Sequence, residues 1–274
     1  MSLKLMYITN DPEVALIAQN VGVDRIFVDL EYIGKDLRQG GMDTVQSKHT
    51  LDDVKRIADV LTSSELLVRV NPIHNESNEY CSSAQEIDTA IRNGAQILML
   101  PYFKTLEEAK EFISLVNGRA KTMLLIETPE AAEMIDEILT LDGVDELYIG
   151  LNDLSLGYGK KFMFELLSDG TVEYLANKIK ARGIPYGFGG LASLDGGLIP
   201  GSMILKEHYR LGSTRVILSR SFCDVSKQKD ICEIRSTFDN GVSELRKCEL
   251  EVDATDFEKN REDICRLIKI IIGE

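Results

Sequence analysis

The sequence predicts an α/β fold: a single (β/α)8 barrel of the TIM type with an extra C-terminal helix. The first observation behind this prediction is that short apolar, strand-like segments alternate with helix-like segments along the chain. The second is that eight strand-like segments can be counted. The third is the length of the chain: 274 residues is common for one such barrel, and no Pro- or Gly-rich linker divides the sequence.

The eight strands are predicted from short apolar runs bounded by turn residues. They are Lys4–Ile8, Arg25–Leu30, Leu66–Val70, Ile97–Leu100, Met123–Ile126, Leu147–Ile149, Pro185–Phe188 and Arg215–Leu218. The helices between them are predicted from apolar residues at helical spacing. They are Pro12–Val21, Asp52–Leu61, Ala84–Arg92, Leu106–Val116, Ala131–Leu139, Val172–Ala181 and Met203–Leu211. Capping signals agree with these helices: Thr105 and Glu108 have capping-box spacing, and Gly22, Gly94 and Gly118 follow helical patterns.

The last segment, Asp256–Ile272, is predicted as one further helix with an apolar stripe formed by Ile264, Leu267, Ile268 and Ile271. We therefore divide the chain into a barrel, residues 1–253, and a C-terminal helix, residues 254–274. The stripe has to be buried on the barrel or on a partner subunit. We expect a partner subunit, and hence a homo-oligomer, because a barrel sealed by its own helices has limited room for another apolar face.

Charge and composition exclude several classes of partner. The net charge of −14 argues against nucleic acid and against anionic membrane surfaces. The sequence has neither a run of about 18 apolar residues nor a signal peptide at its start, so no membrane segment is predicted. The five cysteines are odd in number and form no CxxC pair, as is typical of reduced thiols in a cytoplasmic protein.

Two acidic residues follow apolar strands at similar positions. Glu127 ends the run Leu125-Ile126-Glu127-Thr128, and Asp153 lies in Ile149-Gly150-Leu151-Asn152-Asp153-Leu154-Ser155. They are 153 − 127 = 26 residues apart, about one strand–helix–strand repeat, so both carboxylates are expected at the C-terminal mouth of the barrel. Two carboxylates with open coordination positions suit a divalent cation such as Mg²⁺ (or Mn²⁺). A bland interpretation, in which Glu127 is an exposed strand end and Asp153 caps a turn, remains open.

Several ordered segments of the sequence resemble the HpcH/HpaI aldolase and citrate lyase beta-subunit family of phosphoenolpyruvate/pyruvate-type barrels. The segments run in family order over roughly residues 20–220. They are Phe27-Val28-Asp29-Leu30-Glu31, Leu67-Val68-Arg69-Val70-Asn71, Gly94-Ala95-Gln96-Ile97 followed by Leu100-Pro101, the Glu127 segment, and Gly143-Val144-Asp145 leading into the Asp153 segment.

The resemblance implies a divalent metal held by Glu127 and Asp153, and an Arg69 side chain that binds the carboxylate of a 2-oxo acid such as pyruvate or oxaloacetate. It implies reversible carbon–carbon cleavage through an enolate, with an aldehyde or an acyl-CoA as the second substrate. From the residues alone, Arg69 could instead pair with Asp29 or Glu31. The runner-up function is a catalytically silent relative that binds a 2-oxo or dicarboxylic acid.

We predict a catalytic set of Arg69, Glu31 and Tyr32, and a substrate-binding set of Arg69, Asp29, Pro101, Asn152 and Gly190. Tyr32 occupies the position where the aldolase branch of the family has a histidine, so the proton-transfer residue is open. His49 and His74 are the alternatives, and His208 is predicted to be structural. The polar segment Ile33–His49 is predicted to be a specificity lid. The pattern Gly187-x-Gly189-x-x-Ala192 is predicted to be a ligand-approach loop rather than a dinucleotide fingerprint, because it is followed by Asp195-Gly196-Gly197 instead of a helix.

Overall fold

The eight strands close into one parallel barrel in chain order. The structure is a computed structural model that describes residues 2–35, 48–225, 227–228 and 230–273. Each strand pairs with its chain neighbours, and β1 pairs with β8. The strands are β1 Lys4–Ile8, β2 Arg25–Asp29, β3 Glu65–Arg69, β4 Ile97–Leu100, β5 Lys121–Ile126, β6 Glu146–Ile149, β7 Tyr186–Leu191 and β8 Arg215–Leu218. The predicted (β/α)8 barrel is confirmed.

Helices follow the strands, and six of the twelve α-helices named below begin at a side-chain cap. Thr50, Ser82 and Thr105 each form a capping box, which satisfies N–H groups that the first helical turn leaves free. The helices are α1 Pro12–Asn20, α2 Leu51–Ala58, α3 Ser83–Arg92, α4 Leu106–Val116, α5 Pro129–Glu133, α6 Ile135–Ile138, α7 Leu151–Gly157, α8 Glu165–Ser168, α9 Thr171–Arg182, α10 Gly201–Leu211, α11 Ile231–Leu250 and α12 Phe257–Ile272, with a 3₁₀ turn at Ala254–Asp256. In the described part of the chain, no helix has the length and apolarity to cross a membrane.

The seventh strand is longer than predicted, and glycines shape it. The register between β7 and β8 shifts between Gly187 and Gly190. A Cβ at Gly187 would lie 2.4 Å from the Arg215 carbonyl oxygen and 2.5 Å from the Tyr148 ring. Only glycine therefore lets β7 approach both groups. The Tyr148 hydroxyl, held in the barrel interior, donates to the Gly189 carbonyl at 2.6 Å.

The interior of the barrel contains an apolar layer above a charged floor. The layer is formed by Met6, Phe27, Leu67, Ile97, Met99, Met123, Leu125 and Tyr148. In the floor, Arg25 donates to both oxygens of Glu146 at 2.6 and 2.7 Å, and Arg215 donates to the same two oxygens. Arg25 also donates to Glu65 at 2.9 Å. The floor thus ties together β2, β3, β6 and β8 through hydrogen-bonded charges, away from the mouth.

The C-terminal helix α12 packs on its own barrel. It contacts α8 and α10, and Ile264 and Ile268 of its stripe are buried in the chain's own core. Asn260 fixes the helix by donating to the Met203 carbonyl at 3.0 Å. The prediction that this stripe is buried on a partner subunit is therefore wrong for Ile264 and Ile268, because neighbouring helices of the same chain cover them, whereas Leu267 and Ile271 are half-buried. The homo-oligomer stays a prediction, but the burial of this stripe no longer supports it.

Candidate active site

A cavity of about 610 Å³ opens at the C-terminal ends of the strands. A volume of this size is typical of sites for small organic ligands. Its walls include six of the predicted site residues: Asp29, Arg69, Glu127, Asn152, Asp153 and Gly190. The cavity also has apolar lining residues that sequence reasoning missed, among them Ile8, Leu151, Met163, Ile217 and Val225. These residues leave no sequence signal of their own, since an apolar residue at a strand end looks like core.

Arg69 and Asp29 form a two-pronged ion pair at the mouth. They lie directly opposite each other in the β2–β3 register. The Arg69 Nε and Nη2 atoms donate to the two Asp29 oxygens, each at 2.8 Å. Burial alone would raise the pKa of Asp29, but the Arg69 guanidinium and the Lys35 ammonium hold that pKa well below its ordinary value. Asp29 therefore anchors Arg69, and because it also lines the cavity its substrate-binding role stays a prediction beside this positioning one.

Glu31 and Lys35 extend this ion pair into a buried cluster. The Glu31 carboxylate is fully buried and lies 3.3 Å from Arg69 Nη1 and 3.4 Å from Lys35 Nζ. Lys35 Nζ also donates to Asp29 at 3.0 Å. Glu31 does not line the cavity, so its predicted catalytic role also becomes one of positioning. Sequence reasoning missed Lys35, although its spacing from Glu31 was a signal, because it lies in the segment predicted as a lid. The remainder of that lid, residues 36–47, lies outside the described residues.

Glu127 ends β5 inside a tightly fitted pocket. It is 3% exposed, and the Tyr102 backbone N–H donates to its Oε1 at 2.9 Å. Tyr102 adopts a left-handed conformation with φ 47°, a strained arrangement that directs this N–H at the carboxylate. A Cβ on Gly150 would lie 2.9 Å from Glu127 Oε2, so glycine is required there. Burial, Glu31 and Asp153 together raise the pKa of Glu127 well above its ordinary value, against the opposing effect of Arg69.

Asp153 reaches the same cavity from the first turn of α7, which follows β6 directly. Strands β5 and β6 are neighbours, with Ile126 opposite Ile149, so the two predicted metal ligands come from adjacent strand ends. The described residues contain no group of three or more His, Cys, Asp and Glu side chains that could hold an ion. A pair of carboxylates with open positions is nevertheless the donor set that Mg²⁺ accepts, since this ion keeps several waters.

The charges of the cluster also fit a divalent cation. Four carboxylates, those of Asp29, Glu31, Glu127 and Asp153, are largely buried around the mouth. Two cationic side chains, Arg69 and Lys35, lie among them. The raised pKa of Glu127 reflects the cost of placing these carboxylates together in a low-dielectric setting. A cation bound by Glu127 and Asp153 would reduce that cost.

The three histidines have different settings. His49 lines the cavity, and its Nδ1 accepts a hydrogen bond from the Asp29 backbone N–H at 3.0 Å. Burial lowers the pKa of His49. His74 lies outside the cavity walls, with its two ring nitrogens each 2.7 Å from a carbonyl oxygen, those of Pro72 and Cys81. His208 is buried and stacks on Phe188 with ring centroids 3.9 Å apart, in agreement with the structural role predicted for it.

Tyr32 and Pro101 do not belong to the cavity, and their predicted roles need correction. Tyr32 is 44% exposed and packs against Tyr80 with ring centroids 5.2 Å apart. The reason is that Asn71 Oδ1 accepts hydrogen bonds from the backbone N–H groups of Tyr32 and Ile33, which turns the chain away from the mouth. Pro101 is buried below the Tyr102 turn and lines no part of the cavity.

Comparisons with known proteins identify the family of the chain. The sequence model of the HpcH/HpaI aldolase/citrate lyase family matches residues 4–166. A hydroxypyruvate/pyruvate aldolase from Sagittula stellata is 28% identical over 152 residues, which is 44% of this chain and 58% of that relative. The matched stretch thus spans little more than half the length of that curated relative.

Solved structures show the same fold. An HpcH/HpaI aldolase from Desulfitobacterium hafniense superposes with a TM-score of 0.61 at 17% identity, covering 90% of this chain and 93% of that one. An HpcH/HpaI aldolase/citrate lyase family protein from Burkholderia cenocepacia gives 0.61 at 15% identity, covering 85% and 95%. At these identities the likeness bears on the barrel alone.

Proposed function

The chain belongs to the HpcH/HpaI aldolase/citrate lyase family, and we propose that it is a divalent-cation-dependent carbon–carbon lyase acting through the enolate of a 2-oxo acid. The observation that carries this proposal is the convergence of Glu127, Asp153 and Arg69 on one cavity at the barrel mouth. A 2-oxo acid needs two partners. A hard cation, held by carboxylates, binds its keto oxygen, and a guanidinium binds its planar carboxylate.

Glu127 and Asp153 would hold the cation, Mg²⁺ or Mn²⁺. When bound, such an ion polarises a keto oxygen and stabilises negative charge on it, as enolate chemistry requires. Glu127 is prepared for this role by the Tyr102 N–H, which fixes one of its oxygens at 2.9 Å. The glycine at position 150 leaves the other oxygen room.

Arg69 would bind the carboxylate of the oxo acid. Asp29 accepts hydrogen bonds from two of its five N–H groups, and Glu31 forms an ion pair with Nη1 at 3.3 Å, so N–H groups on the terminal nitrogens remain for a ligand. The two acids also hold the guanidinium in one orientation, so that little side-chain entropy is lost on binding. Arg69 thus serves both interpretations considered for it, the structural and the functional.

The second substrate is proposed to be an aldehyde. Leu151, Met163, Ile217 and Val225 give the cavity an apolar part beside its acidic cluster, and a carbonyl compound with an apolar substituent would fit there. The aldolase named among the relatives supports the same choice. An acyl-CoA thioester as the second substrate and oxaloacetate as the oxo acid are the alternatives to be tested beside it.

The test follows exchange of deuterium into the methyl group of pyruvate by proton NMR, with and without Mg²⁺ or Mn²⁺. Cation-dependent exchange is expected for the protein and its loss for Glu127→Gln. Glu130→Gln is the matched control, because the half-exposed Glu130 side chain forms an ion pair with the surface residue Lys104 at 3.2 Å and does not line the cavity. A screen of aldehydes and thioesters for condensation then identifies the second substrate.

No exchange in the presence of either cation, with pyruvate binding intact, would favour the silent binding protein instead. Tyr32 no longer favours that alternative, because its side chain lies outside the cavity and its identity says nothing about the chemistry inside.

A further inference from the structure

We infer that His49 acts in the proposed lyase reaction as a neutral hydrogen-bond donor, through its Nε2–H, to the oxygen of the second substrate, and that it is not the general base. This inference rests on the proposed function for the identity of that oxygen. It concerns one further residue of the cavity, to which neither the family match nor the relatives assign a role.

The tautomer follows from one hydrogen bond. The Asp29 backbone N–H donates to His49 Nδ1 at 3.0 Å. A backbone amide nitrogen can only donate, so Nδ1 must present its lone pair. A neutral imidazole carries a single proton, which must therefore be on Nε2. A nitrogen that already bears a proton cannot take another from a substrate.

The usual arrangement for a histidine base is absent at this residue. Such a base has a carboxylate or carbonyl oxygen on Nδ1–H, which leaves the Nε2 lone pair free. Here the nearest carboxylate, that of Asp29, faces Arg69 and Lys35, and Asp29 turns only its backbone N–H to the histidine. The orientation is the reverse of the one that a base needs.

The charged form of His49 is disfavoured as well. An imidazolium would place an Nδ1–H against the Asp29 N–H. Burial lowers the pKa of His49, Lys35 and Arg69 lower it further, and Asp29 and Asp53 oppose that effect. The ring therefore stays neutral at neutral pH, and Nε2–H is a donor that persists over the working range.

A neutral donor is suited to an oxygen that gains charge during the reaction. In the direction of addition, the enolate carbon attacks the aldehyde carbon, and the electron pair of the C=O bond moves to its oxygen. Nε2–H stabilises that oxygen and keeps its own proton. The oxygen then takes a proton from water, which balances the methyl proton released to water when the enolate formed. Enolate formation itself makes no use of His49.

Two matched variants separate the donor from the anchor. His49→Gln places an amide N–H near Nε2 but loses the acceptor for the Asp29 N–H. His49→Asn keeps an acceptor near Nδ1 but loses the donor that reaches the cavity. We expect methyl exchange of pyruvate to stay within about threefold in both. Aldol addition should fall by about 10²–10³ in His49→Asn, as when one oxyanion donor is removed, and by at least tenfold less in His49→Gln.

The outcomes are distinct. Loss of exchange in both variants, with exchange in the unmodified protein, would make His49 the base and overturn the inference. Greater loss of addition in His49→Gln than in His49→Asn would reduce His49 to an anchor for β2. Absence of exchange in the unmodified protein refutes the proposed function instead. A ¹⁵N NMR spectrum at pH 7, assigned by its change in His49→Gln, should show Nε2 protonated; a protonated Nδ1 would contradict the inference independently of activity.

Discussion

Replacing Arg69 by lysine keeps the positive charge at the mouth and removes the fork. The guanidinium contacts both Asp29 oxygens at 2.8 Å and Glu31 at 3.3 Å. A lysine ammonium has three N–H groups instead of five and cannot present two parallel donors to one carboxylate. If the new side chain keeps the two hydrogen bonds to Asp29, at most one N–H remains for the carboxylate of an oxo acid, where arginine could offer two.

The size of the effect follows from this count. One lost hydrogen bond between charged groups costs about 1.5–3 kcal/mol. That range corresponds to a weakening of pyruvate binding by roughly 10- to 150-fold. The charge itself is retained, so the loss should not extend to the full cost of a buried, unpaired carboxylate.

Isothermal titration with pyruvate in the presence of Mg²⁺ measures this change. The matched control is Arg56→Lys, since Arg56 donates to Asp53 at 2.8 Å but is exposed and lies outside the cavity. Thermal unfolding of both variants shows whether the fold is retained. Pyruvate affinity that stays unchanged in a folded Arg69→Lys protein would refute the assignment of Arg69 to the substrate.

Three further results are expected. Tyr32→Phe should change turnover less than about tenfold, below the effect of losing a general acid or base; a thousandfold loss with cation binding intact would return Tyr32 to the site. Glu146→Gln should lower the free energy of unfolding in urea by about 3–5 kcal/mol, because it leaves the buried Arg215 without a counter-charge and Arg25 with Glu65 alone; a change below about 1 kcal/mol would contradict the role of the floor. Burial lowers the pKa of His208 to about 3, so the ring is neutral when folded. The contribution of His208 to the free energy of unfolding is therefore complete above pH about 6.5. It is lost as the pH falls from there towards 3, by at most about 1.4 kcal/mol per pH unit. Urea titrations at several pH values should show a shallower acid limb in His208→Asn, and an unchanged limb would contradict this.

The barrel was predictable because its signal is repeated. Each strand is an apolar run and each helix has its own stripe or cap, so an error at one element leaves the others in place. The 20-residue helix α11 was missed, although Ile234, Phe238, Val242 and Leu245 have helical spacing. Gly241 interrupts its middle, and a Cβ there would lie 2.8 Å from the Phe222 ring. Glycine is needed at this position of the helix because the Phe222 ring packs against it. Such a tertiary contact cannot be seen in the local sequence.

The site residues also divide into those that the sequence could predict and those that it could not. Glu127 and Asp153 were found because strand ends of neighbouring units meet at one mouth, whatever the loops do. Tyr32 was misplaced because adjacency to Glu31 in the chain was read as adjacency in space. Asn71 turns the backbone outward at that point. The place against Asp29 is taken by His49, which is 18 residues further along the chain than Glu31.

The charged floor also bears on the order in which the chain can fold. Arg25 and Glu146 are 121 residues apart, and Glu146 and Arg215 are 69 residues apart. A chain emerging from the ribosome cannot complete this contact until β8 has been synthesised, and a fragment of the first five strands would bury Arg25 without Glu146. Contacts between such distant residues slow folding, since a long loop must close before they form. The floor therefore makes barrel closure a late step, in which β2, β6 and β8 become stable together.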